Sequence, residues 1–226
     1  MIEGRDWRTN VVDECELERV AIHRNKVFVA GRFETDFEFS HVSGKKTFYK
    51  TRVKVDRYSD TIDYIPIIAS DYFVDGHNVE GKWCEIEGRF ESFNRYEGNK
   101  IHLDLFIRVE NMNVCNEIPD DPKRNEIFLE GFVCKKPVFR ETPLGKRITD
   151  IMIAVNRVEK KSDYIPCITW EGTAKWSANL EVGEKVAIYG RIQSREYIKK
   201  PEDPFSEPQQ KVAYEISIFD IKNKIK

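Results

Sequence analysis

Apolar and polar residues alternate along this chain with a period of two, the spacing that puts successive side chains on opposite faces of a strand. The run Val186-Ala187-Ile188-Tyr189-Gly190-Arg191-Ile192-Gln193-Ser194-Arg195-Glu196-Tyr197 is the clearest case. Val186, Ile188, Gly190 and Ile192 fall on one face, and Tyr189, Arg191, Gln193, Arg195 and Tyr197 on the other. The first face reads as core and the second as an aromatic and cationic outer wall. Other β-rich runs lie near 26–33, 46–56, 63–70, 82–93 and 100–110, and again near 126–133, 146–156, 163–170, 185–197 and 211–221. One helical slot per set falls between the third and fourth runs, at Thr173 to Leu180 in the second set.

The two sets are copies of one unit. Asn25, Gly31, Phe39, Arg57 and Asp63-Tyr64-Ile65-Pro66 recur one hundred residues later as Asn125, Gly131, Phe139, Arg157 and Asp163-Tyr164-Ile165-Pro166. Gly88-Arg89 answers Gly190-Arg191 after a slip of two. Five strands with one helix after the third predict an all-β chain of two tandem five-stranded OB-fold barrels, each with one short helix between strands 3 and 4. The expected division is an acidic segment over 1–20, a first OB-fold over 21–113, a linker over 114–122 and a second OB-fold over 123–226. The linker Asn116-Glu117-Ile118-Pro119-Asp120-Asp121-Pro122 is stiffened by two prolines.

Composition narrows the chemistry. At 226 residues the chain is long enough for two cores, and 34% of it is charged. No apolar run approaches the ~20 residues that span a bilayer, and no signal peptide is evident, so no membrane partner and a cytoplasmic, nucleoid-associated location are expected. Cys15, Cys84, Cys115, Cys134 and Cys167 form no CxxC pair, which predicts free, mostly buried thiols rather than disulfides or zinc. His23, His41, His77 and His102 are scattered. No metal, cofactor or enzyme activity is expected, since neither clustered ligands nor a GxSxG, HExxH or phosphate-cradling glycine loop occurs. The net charge is only −2, but residues 1–20 hold 3 Lys/Arg against 6 Asp/Glu, and 123–226 hold 20 against 15. The positive charge is in the second copy.

The second copy also resembles a family. Asn125-Glu126-Ile127-Phe128-Leu129-Glu130-Gly131, Lys136-Pro137, Thr142-Pro143-Leu144-Gly145, Ile153-Ala154-Val155-Asn156-Arg157, Asp163 through Trp170 and Gly183 through Tyr197 are similar in order and spacing to bacterial single-stranded DNA-binding proteins, SSB. Residues 25–112 resemble them more weakly. The resemblance implies an OB-fold that wraps single-stranded DNA, with Tyr164 and Trp170 of the third strand and Tyr197 at the end of the fourth as stacking aromatics. SSB chains of the usual kind carry one OB-fold, form tetramers and end in an acidic tip that recruits replication proteins. Here two OB-folds precede Asn223-Lys224-Ile225-Lys226, which implies a homodimer with four OB-folds and puts recruitment of replication proteins in doubt.

The copies differ in what they offer a nucleic acid. In the second, Tyr164, Trp170, Tyr189 and Tyr197 supply rings, and Lys146, Arg157, Lys160, Lys161, Arg191 and Arg195 supply cations. In the first, the counterparts of Tyr189 to Tyr197 are Glu87, Arg89, Glu91, Phe93 and Arg95, and Ser70 replaces Trp170. Two rings fewer would weaken that copy by roughly 2–6 kcal/mol. Its second strand argues the other way: with Tyr49, Thr51, Val53 and Val55 inward, Phe48, Lys50, Arg52 and Lys54 face out, joined by Tyr58 and Tyr64. The alternative for that strand is a solvated face whose lysines pair with Glu85 and Glu87. The second copy is expected to be the better binder, with Trp176, Ile168 and Phe128 in its core. The competing functional reading is a primosomal-type OB protein that acts mainly as a protein-interaction module and binds nucleic acid weakly.

Overall fold

A computed structural model describes residues 24–74, 78–98, 100–157, 161–199 and 208–223. In the first half, β1 (Asn25–Phe33), β2 (Glu38–Ser43), β3 (Lys46–Asp56) and β4 (Ile62–Ser70) precede the short helix α1 (Asp71–Val74), followed by β5 (Trp83–Glu97) and β6 (Lys100–Cys115). The second half repeats this as β7 (Asn125–Val133), β8 (Val138–Glu141), β9 (Arg147–Asn156), β10 (Ser162–Trp170), helix α2 (Glu171–Ser177), β11 (Lys185–Lys199) and β12 (Gln209–Asn223). All ten expected strands are present. The short edge strands β2 and β8 were not expected, because each is a brief, mostly exposed hairpin arm with no apolar alternation of its own.

Each half closes as an OB-fold barrel. β1 pairs antiparallel with β3 and β5, and β4 meets β6 in parallel; β7 pairs with β9 and β11, and β10 with β12, in the same way. The alternation in β4 does what its period requires: Asp63, Ile65, Ile67 and Ala69 are buried, while Tyr64, Pro66 and Ile68 face away. Gly190 sits where β11 crosses β12, and a Cβ there would lie 2.4 Å from the Ser217 carbonyl oxygen. Its repeat partner Gly88 would meet the Arg108 carbonyl oxygen at 2.1 Å. The repeated glycines therefore mark the points where a barrel strand approaches its neighbour too closely for any side chain.

The halves are fused edge to edge. β1 pairs antiparallel with β7, Val27 opposite Ile127, and the described strands form one 12-stranded sheet in the order β2-β3-β4-β6-β5-β1-β7-β11-β12-β10-β9-β8. Asn25 and Asn125, noted as repeats, have matching tasks. Asn25 donates to the Phe90 carbonyl and accepts from the Phe90 amide at 2.7 and 2.8 Å; Asn125 does the same with Ile192 at 2.7 and 2.9 Å. Helix α2 begins after Trp170 and turns Ala174 and Ser177 inward. This leaves Trp176 45% exposed rather than in the core as expected, since a residue two positions from Ala174 lies on another side of the helix. Ile168 is buried as expected, whereas Phe128 is only half-buried. Cys84 and Cys167 are buried free thiols, with burial pushing both thiol pKa values up.

Candidate nucleic-acid interface

The strand read as a wet outer wall is not uniformly wet. Val186, Ile188, Gly190 and Ile192 are buried as expected, and Arg195 and Tyr197 are exposed. Between them, Gln193 is buried and donates to Glu215 at 2.7 Å, and Arg191 is half-buried with a guanidinium nitrogen 3.8 Å from Asp63 of the first half. Burial, with Arg57 nearby, holds the Arg191 pKa below its ordinary value. Tyr189 packs on Phe128 with ring centroids 4.8 Å apart. The expectation of one flat face from Tyr189 to Tyr197 is thus corrected: the middle of β11 runs against β4 of the other half, and only its far end is open.

That junction is built twice. Asp63 accepts from the Arg57 side chain at 2.7 and 2.5 Å and from the Ser194 amide at 2.7 Å. Asp163 accepts from Arg157 Nε at 2.7 Å and from the Ser92 amide at 2.6 Å. Arg157, expected on phosphate, also donates to the Ser92 carbonyl at 3.2 Å and holds the halves together. Glu91, expected on the outer face, is buried beside Arg89, Arg108 and Arg157. No periodicity signals such a residue, because its partners come from β5, from β6 and from the other copy.

The remaining residues of the second half lie as follows. Tyr164 is 44% and Tyr197 38% exposed, with the Arg195 guanidinium 5.8 Å from the Tyr197 ring. Trp170 is half-buried, its indole N–H donating to Ser217 Oγ at 3.0 Å, and Lys146 Nζ lies 6.0 Å from its ring. Lys161 is exposed; Lys160 lies outside the described residues.

A groove of about 870 Å³ lies in the first half, on the outer face of β3, β4 and the β5–β6 hairpin. Lys50 and Arg52 stand on it, as expected of the second strand, and Phe93, Arg95, Leu103 and Leu105 line its hairpin side. Val212 and Tyr214 of β12 close it from the second half, so the groove belongs to both copies. Phe48 is occupied: His41 stacks on it at 4.9 Å, and the Arg108 guanidinium lies 4.6 Å from its ring. Tyr64 has Arg52 and Lys54 at 6.0 and 5.7 Å from its ring. Tyr58 is 82% exposed, with Lys123 Nζ 5.3 Å away. Arg52 pairs with Glu34, and β3 makes no pair with Glu85 or Glu87 among the described residues. His41, Arg108 and Tyr214 were missed by sequence reasoning. A histidine on an unrecognised edge strand and residues from two distant strands become neighbours only in the folded chain.

Rings, cations and a groove on the outer face of an OB barrel suit an unpaired, polyanionic chain of flat bases. Comparison with known proteins agrees with this geometry. Residues 124–222 match the model of the single-strand binding protein family. "Single-stranded DNA-binding protein B" of Bacillus subtilis is 35% identical over 80 residues, which make up 71% of that protein and 32% of this chain. The chain belongs to the single-strand binding protein family. "Single-stranded DNA-binding protein 2" of Listeria innocua is 36% identical over 80 residues, and the chain spans 50% of its length. The crystal structure of the wild-type single-stranded DNA binding protein from Thermus aquaticus superimposes with a TM-score of 0.70 over 89% of this chain and 93% of that one. At 16% identity it shares the fold, and its coverage takes in both barrels. Within this family framework, no group of three or more metal-competent side chains occurs among the described residues, and no described helix is long and apolar enough to cross a membrane.

Proposed function

We propose that this chain binds single-stranded DNA with little sequence preference, in replication, recombination or repair, and that two copies assemble to bring four OB-folds onto one DNA. The carrying observation is the groove on the first barrel, lined by Phe93 and Tyr214 with Lys50 and Arg52 and open to solvent on one side. The second barrel contributes Tyr164, Trp170 and Tyr197, with Lys146, Lys161 and Arg195 placed for phosphate. Arg157, Arg191 and Tyr189 hold the scaffold in this reading. The sequence division at 114–122 separates two barrels that act as one platform, since β1 and β7 join them. The proposed location is with the DNA of the cell that makes the protein.

The test is affinity for oligo-dT and for duplex DNA at several salt concentrations. Single strands are expected to bind much more tightly, with log K falling by about 0.7 per neutralised phosphate as log salt rises. Equal affinity for duplex, or a flat salt profile, overturns the proposal. A chain mass that stays monomeric across concentration overturns the four-barrel assembly alone.

A further inference from the structure

The last strand of the second barrel carries an aromatic ring on an irregularity of its ladder. Between β11 and β12 the register slips: Tyr189 lies opposite Asp220 and Gly190 opposite Ile218, which leaves Phe219 as the extra residue of a β-bulge. The first half has the same slip, with Glu87 opposite Asn111 and Gly88 opposite Val109, and there the extra residue is Glu110. Phe219 and Glu110 are therefore repeat counterparts. The longer β11–β12 connection hides this from any fixed offset along the chain.

The two bulges offer different chemistry. Glu110 lies 2.8 Å from Arg89 Nε, and Arg89 also pairs with Glu91 at 3.1 Å, so the bulge residue of this repeat belongs to the outer wall and completes an ion-paired surface there. In the second half both carboxylates are replaced, Glu91 by Gln193 and Glu110 by Phe219. Arg191, the counterpart of Arg89, has a guanidinium nitrogen 3.8 Å from Asp63 of the other barrel instead. The wall thus lacks two negative charges and carries a ring that is 58% exposed. A carboxylate here would repel phosphate, whereas an exposed ring gives a base a face to stack on.

Phe219 also adjoins the surface around Trp170. β10 and β12 run parallel, with Cys167 opposite Ile216 and Ile168 opposite Ser217. Carried two residues on, the same register sets Trp170 level with Phe219, and the Trp170 indole N–H donates to Ser217 Oγ at 3.0 Å. Two residues of strand span about 7 Å. Lys146 Nζ, 6.0 Å from the Trp170 ring, places a cation beside the same surface.

We propose that Phe219 is a base-stacking residue of the second barrel, one that extends the Trp170 surface across β12. The exchange of Glu110 for Phe219 then opens to DNA a wall that ion pairs close in the first barrel. This rests on the reading of the chain as a single-stranded DNA binder, and adds a contact in which the two barrels differ.

The experiment titrates oligo-dT against the full chain and its Phe219→Ala, Phe219→Leu, Phe219→Tyr and Phe219→Glu variants, with the mass of the assembly measured at the same concentrations. Loss of one stacked base makes Phe219→Ala and Phe219→Leu bind roughly 5- to 150-fold more weakly. Phe219→Tyr is expected to stay close to the parent chain, and Phe219→Glu to bind most weakly of the series. Ultraviolet crosslinking to oligo-dT that carries 5-iododeoxyuridine is expected to attach at Phe219. Full affinity in Phe219→Ala, or a Phe219→Leu chain that binds like the parent, overturns the proposal while the DNA reading stands. A loss of affinity that comes with a fall in mass assigns the ring to contact between copies and overturns it too. A parent chain that takes up no oligo-dT overturns the DNA reading itself.

Discussion

The Ser194 amide donates to Asp63 Oδ1 at 2.7 Å, and Asp63, fully buried, belongs to the other barrel. The Tyr64 amide returns a bond to Ser194 Oγ at 3.1 Å, and Ser92 repeats both contacts with Asp163 and Tyr164 at 2.6 and 2.8 Å. Two pseudo-symmetric clasps thus join the barrels on either side of the β1–β7 pairing. Asp63→Ala leaves the Arg57 guanidinium without its carboxylate in a largely buried place, and is expected to cost about 3–5 kcal/mol in urea unfolding. Asp163→Ala is expected to do the same through Arg157. A loss below 1 kcal/mol in both would show that the clasps are incidental to stability.

Phe93 is 60% exposed on the groove. Phe93→Ala is expected to weaken oligo-dT binding by about 1–3 kcal/mol with little change in the unfolding midpoint. Trp170→Ala is expected to weaken binding by a similar amount, and to lower stability as well, because the indole bonds Ser217. Comparing the two losses by fluorescence titration measures how the barrels share the DNA.

Burial, with the Arg108 guanidinium adding, holds the His41 imidazole below its ordinary pKa of 6.5. The folded chain disfavours the protonated ring, so this group's contribution to stability is present above pH ~6.5 and is lost as pH falls through the folded-state pKa. A phosphate brought into the groove reverses the preference. Oligo-dT is expected to raise the His41 midpoint followed by NMR, and affinity to rise as pH drops from about 7 to about 6. A midpoint that does not move on adding DNA would place the phosphates elsewhere.

Gly190→Ala forces a methyl against the Ser217 carbonyl oxygen, 2.4 Å from where its Cβ must go. A backbone neighbour cannot rotate away. The expected cost is about 1–3 kcal/mol, read as a lowered unfolding midpoint, and Gly88→Ala is expected to match it.

The sequence by itself determined ten of the twelve described strands, the duplication and the barrel type, because a period of two, repeated glycines and repeated Asn25/Asn125 and Arg57/Asp63 pairs are local or self-referring signals. It also placed Lys50, Arg52, Tyr164 and Tyr197 on outer faces correctly. Only the tertiary structure decided which outer faces stay open. Arg191 and Glu91 alternate outward like their neighbours, yet Asp63 and Arg157 of the other barrel lie against them, and Val212 and Tyr214 complete a groove whose other walls lie more than one hundred residues away. Alternation reports which side of its own strand a residue occupies. What lies across from that side is set by long-range pairing, above all that of β1 with β7, and one strand's pattern carries no record of it.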